Sequence, residues 1–319
     1  MVEITRRQDV ADDTLCVAID AGPPAVETDG SGDPLGIPST YEPRFARWFI
    51  RAKDSVDLSL AYLGQFLTFL WQTIRYVPVT PFRYPRQTIR TITDLTWGRG
   101  AVVIGGGTAL LMAGLGVAAG ATVAIIADST LDLVGLGSVT GSVTSFAITR
   151  EFAPILAAVA FTIQAGCRMT AEIGSMRISE EIDALEVIGV HSMSFVVSTR
   201  VIAGILTTIP TFLVALVASY LSSAFVVVSR GGSRGAYAHY FDQFVNFPDM
   251  LAATVKTITF IVAITLIHCY KGFFASGGPE GVGVASGRAV RASLVAIMVL
   301  DLALTLAFWG VNSPFLFRG

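Results

Sequence analysis

Ala101–Ile126 reads AVVIGGGTALLMAGLGVAAGATVAII, without one charged side chain. A helix needs ~20 mostly apolar residues to cross the hydrocarbon core of a bilayer. Backbone amides that meet no water there must bond within their own segment, so such a run is read as a transmembrane helix. The rest of the chain repeats the pattern. Val201–Ser229 is a second uncharged run, Met250–Tyr270 is interrupted only by Lys256, and Ala292–Trp309 only by Asp301. A fifth span is placed at roughly 147–167, entered from a Gly/Ser/Thr-rich approach and carrying Arg150 and Glu151 side by side.

Composition agrees with an all-α polytopic membrane protein. Of 319 residues, 53% are apolar and 14% charged, and the mean hydropathy is +0.64. A soluble domain needs more charge than this on its surface. The net charge of −2 hides a segregated distribution. Residues 1–40 concentrate acids (Glu3, Asp9, Asp12, Asp13, Asp20, Glu27, Asp29, Asp33) among Gly-Pro stretches, and are expected to form a disordered acidic tail with no signal-peptide core. Residues 41–100 form an interfacial helix region, and 101–319 the transmembrane domain.

Leu58–Ile74 is uncharged but short, with Gln65, Thr68 and Gln72 at helical spacing on one face. If it spanned, the arginines that follow (Arg75, Arg83, Arg86, Arg90, Arg99) would lie outside, against the positive-inside rule. An amphipathic helix in the cytoplasmic interface satisfies both the stripe and the arginines. The topology then alternates. Asp128–Asp132 lies outside, Arg168, Arg177 and Arg200 inside, and Lys271, Arg288 and Arg291 inside. The N-terminus is cytoplasmic and Gly319 outside, with Arg230 and Arg234 the one local violation.

Between the second and third spans, Thr170–His191 reads TAEIGSMRISEEIDALEVIGVH. Ser179 is expected to cap a short helix with Glu180 and Glu181 in its first turn. Ile178, Ile182, Leu185 and Ile188 would form its apolar stripe, with Glu180, Asp183 and Glu186 pointing away. Such a helix suits either docking of a soluble partner or a plain solvated connector.

Other features carry less. Cys16, Cys167 and Cys269 have no metal or redox spacing, and His191, His239 and His268 are scattered, so no metal site is expected. Gly116 and Gly120 make a GxxxG for close helix packing or a dimer contact. The glycine run Gly105–Gly107 has no lysine after it, so no phosphate loop is present and the chain is not expected to hydrolyse ATP.

The runs REFAP (Arg150–Pro154) and AEIGSMRISEEIDALEVIGV (Ala171–Val190) resemble the signature of the MlaE/YrbE permease family, and the likeness extends over about residues 45–310. SGGPEGVGVASGRAVR (Ser276–Arg291) is most similar to the YrbE permeases of Mce systems. The resemblance implies an elbow helix, five spans and a coupling helix at about 170–190, with Arg177, Glu180, Glu181, Asp183 and Glu186 docking an ATPase. It further implies a non-catalytic permease subunit of an ABC-type lipid transporter in the inner (plasma) membrane. Its partners would be a cytoplasmic ATPase that uses ATP and Mg, a second YrbE-type chain in a homo- or heterodimer, and MCE-domain proteins outside. No cofactor in this chain and no nucleic acid is implied. One departure is Ile163–Gly166, where Gln164 stands in place of the family's usual arginine; the partner chain or Arg168 would supply that role.

Two other classes remain: an intramembrane enzyme acting on lipid through Arg150, Glu151 or Asp301, and a structural scaffold of an envelope assembly. Lys256 lies 14 residues before Tyr270 and Asp301 lies 13 after Arg288. At ~1.5 Å per residue both reach ~20 Å in from the cytoplasmic ends of their spans. The two are therefore expected to pair, the alternatives being Lys256 with Glu151 and Asp301 with Arg150.

Overall fold

The computed structural model describes residues 64–97 and 107–310. The acidic tail, Cys16, residues 58–63 of the expected interfacial helix, Arg99, the start of the first span and the C-terminus lie outside the described residues. Among the described residues the secondary structure is entirely helical, without strands. The chain divides into two units, Met1–Gln72 and Thr73–Gly319, and the second holds every span.

In chain order the elements are α1 (64–76), α2 (Thr80–Arg83), α3 (Pro85–Trp97) and α4 (Gly107–Asp132). They continue with α5 (Gly137–Ile178), α6 (Glu181–Val187), α7 (Met193–Ser229) and α8 (Arg234–Phe244). The last two are α9 (Phe247–Phe273) and α10 (Gly278–Trp309). Five helices, α4, α5, α7, α9 and α10, are long and apolar enough to cross a membrane. The five-span reading therefore holds, with longer helices than the apolar runs alone delimit.

The largest difference is α5, which begins at Gly137 and runs 42 residues where the sequence placed a span at roughly 147–167. It passes the polar segment before Arg150 because its hydroxyls bond to the backbone of their own helix. Thr144 Oγ1 donates to Thr140 O at 3.0 Å and Thr149 Oγ1 to Ser145 O at 2.7 Å. Thr162 does the same with Ala158 O at 2.9 Å. A satisfied hydroxyl is tolerated in an apolar layer where a free one is not. Two π-helical stretches interrupt α5, at Ile148–Phe152 and Thr162–Gly166.

α4 and α7 pack in near backbone contact. A Cβ at Gly116 would lie 2.5 Å from the Ala215 carbonyl oxygen, and one at Gly120 would run into the Ser219 backbone. Ser222 Oγ donates to Val117 O across the seam at 2.8 Å. The GxxxG thus serves a contact within the chain.

α2 is tied to the start of α7. Thr80 Oγ1 and Ser194 Oγ lie 2.9 Å apart in a buried hydrogen bond, and Tyr84 meets Phe195 edge-on at 5.3 Å. At the opposite end of the bundle Arg230 Nε donates to Asp128 Oδ2 at 2.8 Å, so one of the two arginines that break the charge rule is neutralised in place.

Ser179 does not cap α6. α5 continues to Ile178, Ser179 Oγ donates back to Ser175 O, and the chain turns at Glu180 with φ of 59°. α6 is only seven residues long, and of the expected stripe Ile182 is buried while Ile178 and Ile188 are exposed. The physical reason is that the α5 ladder outlasts the apolar run, leaving one tight turn before α6.

Candidate functional site: a charge cluster among three spans

The π-helical stretch Ile148–Phe152 places Arg150 and Glu151 inside the bundle. A π turn shifts backbone carbonyls out of the regular ladder, and such turns recur at functional positions. Here the Arg150 carbonyl accepts a hydrogen bond from Lys256 Nζ of α9 at 2.9 Å. Lys256 also donates to Glu151 Oε2 at 3.0 Å and to Thr305 Oγ1 of α10 at 2.8 Å. The lysine is 0% exposed.

Asp301 Oδ1 lies 2.7 Å from the same ammonium. All three ammonium protons are already given to other acceptors, so this contact is an ion pair without a hydrogen bond of its own. Lys256 therefore meets Glu151 and Asp301 together. The expected Lys256–Asp301 pair and its alternative with Glu151 are both present in one cluster. Arg150 turns instead to Asp249 at the start of α9, with Nη2 to Oδ2 at 2.9 Å.

The cluster is closed by groups that sequence reasoning missed. Trp309 Nε1 donates to Asp249 Oδ1 at 2.8 Å, and the Arg150 guanidinium lies over the rings of Phe146 at 4.5 Å and Trp309 at 5.0 Å. Thr305 Oγ1, while accepting from Lys256, donates to Glu151 Oε1 at 3.0 Å. Asp249 sits seven residues before Lys256, two helical turns along the same face, which was a readable signal. Thr305 gave none.

A lone charge at mid-bilayer costs ~2.5–3.5 kcal/mol on insertion scales. Pairing these five side chains, two basic and three acidic, reduces that cost and locks α5, α9 and α10 to one another. Both Glu151 and Asp301 are engaged by one ammonium.

A second polar set lies at the other end of α5. Arg168 Nε donates to Glu172 Oε1 at 2.9 Å and its Nη1 to the Asp94 carbonyl of α3 at 2.9 Å. Arg200 Nη1 donates to Val196 O at 2.7 Å, and its Nη2 to Glu172 Oε2 at 3.3 Å. Gln164 is exposed, and Arg168, one turn later, ties α5 to α3.

Of the five residues expected to dock a partner, Glu180, Glu181, Asp183 and Glu186 are exposed and Arg177 is half-buried. Arg177 Nη1 donates to Asp183 Oδ1 at 2.8 Å, and Ser192 Oγ donates to Glu186 Oε1 at 2.5 Å. Glu180 and Glu181 are exposed, beside the exposed apolar side chains of Ile178, Val187 and Ile188.

Five long apolar helices, three of them joined by a paired charge cluster, with a short exposed helix beyond the bundle, define a polytopic membrane protein. The chain matches the family described as Permease MlaE over residues 97–307 and belongs to that family. It is 32% identical over 184 residues to a "Probable ABC transporter permease protein" of Synechocystis, covering 56% of this chain and 68% of that one. A protein of the same description from Rickettsia bellii is 30% identical over 171 residues, covering 53% and 66%. The "Intermembrane phospholipid transport system permease protein MlaE" of Haemophilus influenzae is 27% identical over 174 residues, covering 54% and 67%. The chain thus spans about two thirds of the length of these relatives.

Proposed function

We propose that this chain is the membrane subunit of an ABC-type transporter that moves phospholipid or a related lipid across the cell envelope. The observation that carries this reading is the Lys256-centred cluster, a costly set of charges inside the bundle of a chain that belongs to the MlaE permease family. The substrate class rests on the printed name of the Haemophilus relative.

In this reading the arginine-bearing end with α3 and α6 faces the cytoplasm of an inner-membrane protein, which the charge asymmetry supports, and α1 is an interfacial helix on that side. There α6 meets an ATPase that carries ATP and Mg. The likeness to YrbE permeases makes a second permease chain and extracytoplasmic MCE-domain proteins the remaining partners. The exposed Ile178, Val187 and Ile188 form the centre of the ATPase contact and Glu180 its rim. Arg177, Asp183 and Glu186 hold α6 in position for it.

The test is reconstitution with the candidate ATPase in vesicles carrying fluorescent phospholipid. ATP-dependent transfer is expected for the native chain and not for Val187→Asp/Ile188→Asp, which should also release the ATPase. ATPase binding and transfer that survive the double change would overturn the docking assignment, and absence of ATP-dependent lipid movement by the native complex would overturn the transport reading.

A further inference from the structure

α3, the inner part of α5, α6 and the start of α7 enclose a cavity of about 300 Å³. Its charged lining consists of Arg90, Asp94, Arg168, Glu172, Glu181 and Arg200. This volume lies at the lower end of the range for small-molecule sites. The six charges are not equivalent. Arg168, Arg200, Glu172 and Asp94 are committed to one another across three helices. Arg90 and Glu181 line the same space and have no side-chain partner among the described residues. The cavity therefore offers one free guanidinium and one free carboxylate within a fixed polar wall.

The depth of the cavity selects the kind of ligand. Residues 152–167 carry no charge, and Arg168 ends that run; Val201–Ser229 carry none, and Arg200 precedes it. Arg168 and Arg200 thus mark the level at which the hydrocarbon layer gives way to headgroups. A site at this level, beside an amphipathic helix carrying exposed Ile89 and Arg86, meets lipid headgroups before it meets soluble peptides. An anion alone would satisfy Arg90 and leave the Glu181 carboxylate in the same cavity without a counter-charge. A ligand with both signs satisfies both groups.

We propose that this cavity binds the headgroup of a phospholipid of the cytoplasmic leaflet whose phosphodiester is joined to a primary ammonium, as in phosphatidylethanolamine. The phosphate meets Arg90, which can present two parallel N–H groups to it. The ammonium meets Glu181, with Glu172 at its side. This goes beyond the transport reading and does not require it, because binding is measured without the ATPase.

The experiment uses the full chain, stripped of lipid in mild detergent and examined by native mass spectrometry with phosphatidylethanolamine, phosphatidylglycerol or soluble phosphoethanolamine. Phosphatidylethanolamine is expected to bind most tightly. Loss of one charge-assisted contact corresponds to about tenfold in affinity, so Arg90→Gln should weaken both lipids by about that factor. Glu181→Gln should weaken phosphatidylethanolamine alone, and Arg90→Lys should retain most binding. Neither side chain has an internal partner, so the variants should fold; if one fails to insert, the other decides through the comparison of lipids. An unchanged phosphatidylethanolamine affinity in Arg90→Gln and Glu181→Gln, or an equal loss for both lipids in Glu181→Gln, would overturn the proposal. Soluble phosphoethanolamine binding as tightly as the lipid would overturn the membrane source.

Discussion

At the scale of single residues, Lys256 shows how a charge becomes affordable inside a membrane protein. Its ammonium meets four groups on α5 and α10, so removing it leaves Glu151 and Asp301 facing each other without a cation. Breaking a buried pair in this way costs about 3–5 kcal/mol. Lys256→Met is therefore expected to lower the thermal unfolding temperature in detergent well below that of Lys271→Met, a lysine in the last turn of α9. Equal temperatures for the two variants would show that the cluster contributes nothing to stability. Exchanging the charges, Lys256→Asp with Asp301→Lys, is not expected to rescue the single reversals. The new carboxylate would face Glu151 and the Arg150 carbonyl, both of them acceptors. Sequence depth alone brought Lys256 and Asp301 together, because antiparallel neighbours can be counted from their ends. Asp249, Thr305 and Trp309 escaped that count, since which faces meet is settled only when three helices pack.

At the scale of elements, the acidic segment after α5 is where sequence and structure part most. The amphipathic pattern was real, but helix propagation through Arg168–Ile178 absorbed half of it, and the turn at Glu180 took a left-handed conformation that no periodicity announces. That conformation costs an L-residue ~1–2 kcal/mol, and much more readily suits glycine. Glu180→Gly is expected to keep α6 in place and transport intact, whereas Glu180→Val should destabilise the turn and weaken ATPase retention in pull-down. Equal retention by both variants would remove the turn from the argument. The seam of α4 and α7 gives a sharper case. The spacing of Gly116 and Gly120 was legible, but not whether the partner helix lay in the same chain. With Ser219 backbone against Gly120, Gly120→Leu should separate two spans and lower the yield of folded protein in size-exclusion chromatography. A dimer that dissociates while the monomer stays folded would contradict the intramolecular seam.

At the scale of the whole molecule, the distribution of charge gives the bundle a direction. The apolar runs determined how many spans there are, since only helices satisfy their own backbone in lipid. Which end faces the cytoplasm depends on the arginines. Arg83, Arg86 and Arg90 on α2 and α3 share an end with Arg168, Arg177 and Arg200, as the bonds from Arg168 to α3 and from Thr80 to the start of α7 require. The opposite end holds Arg230, already neutralised by Asp128, and the exposed turn at Leu133 and Val134. The helices α2 and α3 therefore belong with the end that carries α6, and α1, with Leu67, Trp71 and Ile74 exposed along one face, is expected to lie along a membrane surface. In a background lacking Cys16, Cys167 and Cys269, Arg83→Cys and Arg86→Cys should react with a membrane-impermeant maleimide only when the cytoplasmic face is open. Leu133→Cys should react in intact cells. If α1 instead crossed the membrane from the cytoplasm, Arg83→Cys and Arg86→Cys would be labelled from outside. Leu133→Cys, separated from them by the span α4, would then be labelled only when the cytoplasmic face is open. That reversal of all three labels would invert the bundle as a whole and place α6 beyond the reach of any cytoplasmic ATPase.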